Sequence, residues 1–138
     1  MATADMSLAR PSAPASPDLE PLRRSIGPLD VVVRDLRDLL GVRLVAYVAG
    51  VKETRAVHEW ADGTRTVNSE PAERRLRTAL QVAVLLSERD QPQVVQAWFL
   101  GLNPQLADRS PALLLRDGDV DEVGPEILQA ARAFAAVG

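Results

Sequence analysis

The stretch Leu40 to Gly63, LGVRLVAYVAGVKETRAVHEWADG, limits what this chain can fold into more than any other. Leu44, Val45, Val48 and Ala49 recur at i, i+1, i+4 and i+5, a spacing that gathers apolar side chains on one face of a short helix. Gly50 ends it, because the residue past the last periodic position often takes a left-handed backbone that glycine adopts without steric cost. Thr54 is placed to cap a second helix, with Ala56, Val57 and Trp60 as its apolar stripe and Arg55, His58 and Glu59 on its other side. Asp62-Gly63 stops that helix. Two short helices across a glycine turn are the expected result.

The flanking segments extend the same pattern. Pro28 opens a helix striped by Leu29, Val32, Val33, Leu36, Leu39 and Leu40, with Arg34, Asp35, Arg37 and Asp38 on the solvated side. Glu70-Pro71 opens another, running to about Leu86 through Leu76, Leu80, Ala83 and Val84. Its early arginines, Arg74, Arg75 and Arg77, oppose the helix dipole, and both phosphate contact and plain solubility explain them. Pro92 starts a helix that carries Val94, Val95, Trp98, Phe99 and Leu100 and stops at Gly101. Asn103-Pro104 turns the chain, Leu106 plugs back, and Ser110-Pro111 caps a short helix from Ala112 to Arg116. A last helix is expected to begin between Asp121 and Pro125 and to carry Ile127, Leu128, Ala131 and Phe134 to the end. Helix formers dominate and alternating β-branched runs are scarce, so the fold class is all-α.

Residues 1–27 hold Pro11, Pro14, Pro17 and Pro21 among Ala and Ser. They are expected to form a disordered tail, and deleting residues 1–25 is expected to leave thermal stability nearly unchanged. The start MATADMSLARPSAPASP lacks the apolar core of a secretory signal, and no apolar run approaches membrane-spanning length. The absence of cysteine excludes disulfides, thiolate metal sites and cysteine nucleophiles, and favours a cytoplasmic location.

The net charge of −3 argues against a general polyanion binder, but the charge is unevenly spread. Residues 1–42 carry 5 basic and 6 acidic groups, 43–77 carry 7 and 5, and 78–138 carry 4 and 8. The glycine-turn hairpin lies in the one net-positive segment. His58 is the sole histidine, so no two-histidine metal site exists, and no phosphate loop or nucleophile elbow occurs. Asp117, Asp119 and Asp121 mimic the start of a calcium loop, but Glu122 and Leu128 stand where its glycine and bidentate acid belong. Acidic decoration of a helix start accounts for them better. No catalytic residues, metal or cofactor are expected.

Two stretches carry a family resemblance. The hairpin, with Ala46 small enough for close helix approach and Gly50 four residues on, resembles the helix-turn-helix of Xre-type DNA-binding proteins. Val57 lies seven positions after Gly50, where the commonest form of the motif has its buried aliphatic at six. The turn is therefore one residue longer, or the second helix is shifted in register. The string AWFLGLNPQLADRSPALLLRDGD, residues 97–119, is similar to the C-terminal domain of Xre/MbcA/ParS-type antitoxins through Trp98, Asn103, Leu106, Pro111 and Leu114. Together the two halves, in the family order, cover residues 28–138.

The resemblance implies an antitoxin of three segments: the tail, a helix-turn-helix region over 28–86, and a toxin-binding module over 87–138. Its implied partners are a RES-type, NAD-consuming toxin and operator DNA, bound as a homodimer or higher assembly. On the DNA side, Arg55 and His58 are placed to reach base edges, Thr54 a base or phosphate, and Arg43, Lys52, Arg65 and Arg74 phosphates. The partner-binding residues expected are Trp98, Asn103, Arg116, Phe134 and Val137, the last two in a small apolar C-terminal segment that either enters a partner's cleft or closes on the core. Trp60 and Trp98 also fit as core anchors. Two other readings stand beside this one: an adaptor whose hairpin is only a scaffold, and a stand-alone helix-turn-helix regulator.

Overall fold

The computed structural model describes residues 19–137. Within them the chain is all-α: α1 Leu19–Ser25, α2 Leu29–Leu40, α3 Val42–Ala49, α4 Thr54–Asp62, α5 Glu70–Ser87, α6 Pro92–Leu100, a 3-10 turn at Pro104–Leu106, α7 Pro111–Asp117 and α8 Val120–Val137. No described helix is long and apolar enough to cross a membrane.

Helix α5 is the axis of the molecule. Its start is well made: Ser69 Oγ accepts from the Ala72 amide at 3.2 Å, Pro71 sits in the first turn, and Glu70 and Glu73 suit the positive end of the dipole. Further along, Leu80 and Val82 through Leu86 are all buried, so the second half of the helix is covered nearly all round, as its apolar sequence requires. It packs on α1, α2 and α3 in one direction and on α8 in another. One continuous cluster of buried residues includes Leu36, Leu76, Leu80, Phe99, Leu115 and Ile127. Segments 28–86 and 87–138 therefore share a core, with α2 against α6, α3 against α7 and α5 against α8. Each of these fully buried side chains contributes roughly 1.5–3 kcal/mol of transfer free energy.

Three arginines of α5 join elements by hydrogen-bonding to carbonyls and a carboxylate. Arg75 Nη1 donates to the Ala49 carbonyl at 3.3 Å, tying α5 to the end of α3. Arg77 donates to the Ser25 and Gly27 carbonyls at 3.0 and 2.6 Å and pairs with Glu73. Arg74 pairs with Asp121 on α8. The basic cluster at the start of α5 thus serves tertiary packing.

The tail reading is corrected from residue 19 onward; residues 1–18 lie outside the described residues. Leu19–Ser25 is helical because Pro21 falls in the first turn, where no N–H is needed, and Glu20 and Arg23 pair across one turn at 2.6 Å. What holds the helix is tertiary: Arg77 donates to the carbonyl of its last residue, Ser25, and to that of Gly27 just past it, Arg24 meets Asp35 of α2 at 3.0 Å, and Pro21 and Ser25 are buried. Deleting residues 1–27 is therefore expected to lower the melting temperature by at least about 5 °C, as the loss of ~1–2 kcal/mol would in a chain of this size. Unchanged melting would mean that α1 adds nothing to the fold.

Smaller corrections concern helix ends. Thr54 is the first residue inside α4, while Glu53 is the cap and makes no side-chain capping bond. The last helix begins at Val120, with Pro125 inside it. Asp119 makes that earlier start possible, its carboxylate accepting from the Asp121 amide at 3.0 Å.

Candidate partner-binding groove and nucleic-acid face

A groove of about 440 Å³ opens where the end of α6, the 101–105 turn and the last turns of α8 meet. Of the five expected partner-binding residues, Trp98, Asn103, Phe134 and Val137 line it together. Trp98 and Asn103 lie five residues apart in sequence and Phe134 and Val137 three; only the fold brings the two pairs together.

Gly101 ends α6, and its amide bonds to the Ala97 carbonyl at 2.9 Å. The chain then turns through Leu102 and Asn103. Asn103 pins this turn from both sides: Oδ1 accepts from the Gln105 amide at 2.9 Å, its own amide donates to the Arg109 carbonyl at 3.2 Å, and its carbonyl accepts from Leu106 and Asp108. Leu106, 2% exposed, plugs the loop into the core. Ala107 and Asp108 take left-handed backbones to complete the turn, and Ser110 Oγ then caps α7 by accepting from the Leu113 amide at 3.1 Å. The result is a rigid platform for two apolar rims.

Trp98 forms the groove's base, buried, with Phe99 edge-on at 5.5 Å and Phe134 tilted over it at 6.4 Å. The small residues Ala97, Ala130 and Ala133 leave room between α6 and α8. Leu102, at 75% exposure, and Val137, at 85%, stand on the rims. Leu102 is missed by helical periodicity because it lies in a turn. A large aliphatic residue between Gly101 and Asn103, with no core role, is the signal that marks it.

Arg116 lies elsewhere. Its Nη1 donates to the Tyr47 carbonyl at 3.0 Å, and its guanidinium sits 4.6 Å over the Tyr47 ring. It joins α7 to α3 and lies outside the groove over Trp98. A second groove of about 720 Å³ lies beside that joint, lined chiefly by Leu40, Val42, Leu44, Tyr47 and Leu100.

The hairpin forms as expected. Gly50 is left-handed at φ 84°, its amide bonds to the Ala46 and Tyr47 carbonyls, and residues 50–53 make the turn before α4. Val57 is fully buried, so α4 seats its stripe on the core. Most of the expected DNA-contacting residues are engaged within the chain. Arg43 lines the larger groove, and Arg74 is engaged with Asp121. Lys52, in the turn, has no charged partner among the described residues. Arg55 and Arg65 both pair with Glu59, at 3.0 and 3.3 Å. His58 Nδ1 lies 3.0 Å from Arg37 Nη1, which as a guanidinium nitrogen can only donate. The Arg55 guanidinium, and then Arg65, hold the Glu59 carboxyl below the usual carboxylate range. That lowered value means that the interaction favours the fold above the ordinary carboxylate range and is lost as acid protonates Glu59.

No protein-family model and no curated protein matches this sequence. Among solved structures, a chain in the crystal structure of the M. tuberculosis MbcT–MbcA toxin–antitoxin complex matches with a TM-score of 0.59 and 26% identity, over 78% of this chain and 97% of that one. The chain is similar to an MbcA-type antitoxin. The near-complete coverage of the matched chain makes this a likeness of the whole fold. Both halves of the MbcA-like chain, the hairpin and the Trp98–Asn103 module, thus occur within a single shared core.

Proposed function

We propose that this protein is the antitoxin of a toxin–antitoxin pair, and that the groove over Trp98 receives part of the toxin. The observation that carries this reading is the groove itself, where Trp98, Asn103, Phe134 and Val137 converge in a chain similar to MbcA. Its chemistry suits a protein partner. An aromatic base and exposed aliphatic rims supply desolvation, the main source of hot-spot energy, and the Asn103 side-chain amide supplies a polar contact at the edge. Inhibition follows by occlusion, with no bond made or broken by the antitoxin. Within this proposal the partner is a RES-type, NAD-consuming toxin, residues 87–138 bind it, and the assembly is a homodimer or larger.

The second part of the proposal is repression of the shared operon through α4 and the turn before it. The glycine-turn hairpin and the cations Lys52, Arg55 and Arg65 support it. The adaptor reading draws on a specific observation too: Arg55, Arg65, His58 and Arg74 are all engaged within the chain.

Affinity purification of the tagged protein from its own cell, at moderate salt, tests the first part. Recovery of one stoichiometric protein that depletes NAD when expressed alone is expected. Recovery of a large assembly with no such protein in it would overturn the antitoxin reading in favour of the adaptor.

A further inference from the structure

On the exposed side of α4, one carboxylate holds two guanidinium groups. Glu59 Oε2 accepts from Arg55 Nε at 3.0 Å, and Oε1 from Arg65 Nη1 at 3.3 Å. Arg55 lies one turn earlier on the same helix, but Arg65 arrives through the backbone. Gly63 is left-handed, and the amides of Thr64 and Arg65 both donate to the Glu59 carbonyl, at 3.0 and 3.3 Å. The exit of α4 is thereby folded back onto Glu59. The Arg55 side chain is 80% exposed and that of Arg65 50%, so both face solvent from the same carboxylate.

We propose that Glu59 takes the place of a DNA phosphate between Arg55 and Arg65, so that the affinity of this face for duplex DNA is set by competition with the chain's own carboxylate. This rests on the operator-binding part of the reading above. A phosphate and a carboxylate present the same donor-accepting oxygens to a guanidinium, and each excludes the other from a given fork. DNA binding draws its strength from counterions released as free cations neutralise phosphates. A cation already neutralised by Glu59 adds to that release only after the carboxylate has been displaced. Lys52 contributes without such a cost.

The test compares wild type, Glu59→Gln and Glu53→Gln for binding to a fluorescent mixed-sequence duplex of about 30 base pairs, from about 50 mM salt upward. Glu53 caps the same helix, is exposed and has no ion pair among the described residues, so its replacement changes the net charge equally while freeing no arginine. Glu59→Gln is expected to bind roughly tenfold more tightly than wild type, with a salt dependence steeper by about one to two phosphates, and Glu53→Gln to gain about threefold at most. Helical circular dichroism should be the same for all three and melting within about 2 °C, since exposed pairs add little to stability. Equal gains by the two variants would overturn the proposal, because charge alone would then explain them. Equal binding by all three proteins would overturn it while leaving operator binding intact. Absence of binding by every variant would overturn both.

Discussion

Phe99→Ala is expected to destabilise the protein by about 3–5 kcal/mol, the usual loss when a large aromatic leaves a cavity in a core. Phe99 is 0% exposed and stands edge-on to Trp98 at 5.5 Å, so truncation removes buried area and an aromatic contact together. The surroundings cannot easily collapse onto the space. Val95 and Trp98 on the same helix are already buried, and α6 is held in place by a Gln96 Nε2 bond to the Leu39 carbonyl at 3.1 Å. Set against a total stability of about 5–15 kcal/mol, this loss is a large fraction. The melting temperature should fall by roughly 10–20 °C. Urea unfolding measures it directly, with Val94→Ala, a half-exposed site on the same helix, as the comparison expected to lose less than about 1 kcal/mol. Equal effects at the two positions would show that α6 does not seat Phe99 in the shared core.

The second large effect falls on binding. Leu102→Asp is expected to weaken the complex with the proposed toxin partner by at least about a hundredfold, or ~2.7 kcal/mol. The melting temperature should stay within about 2 °C of wild type, since Leu102 is 75% exposed and buries little within the chain. An aspartate there would place an unpaired charge against an apolar partner surface beside Trp98 and Phe134. Titration calorimetry with the purified toxin gives the affinity, and the melt confirms the fold. Full affinity with an intact fold would place the toxin somewhere other than this groove. Leu102 separates the two outcomes better than Phe134, whose ring also leans on Trp98 and whose loss would confound packing with binding.

Residues whose neighbours in sequence decide their conformation were legible without the structure. Gly50 and Gly63 are left-handed helix ends, Ser110 caps α7 through its hydroxyl, and Val32, Leu36, Val57 and Leu76 lie in the core as their spacing requires. Caps, turns and apolar stripes act over a few residues, so a short window contains their causes. The resemblance to Xre/MbcA/ParS-type antitoxins was legible for the same reason, being carried by local strings around Gly50 and from Trp98 to Leu114.

The tertiary structure alone decided which long side chains meet. Periodicity shows one stripe on α5, yet α5 is buried nearly all round in its second half, because helices from both ends of the chain close over it. Leu19–Ser25 reads as tail until the Ser25 and Gly27 carbonyls are seen to accept from Arg77, some fifty residues later. Arg116 reads as a surface cation until it is found over Tyr47, and Arg74 until it meets Asp121. Arginine reaches far and pairs with any carboxylate or carbonyl that packing brings near, so its partner is fixed by chain topology and not by its own neighbours. The groove is of the same kind: Trp98, Asn103 and Phe134 form one surface only because α8 returns across α6.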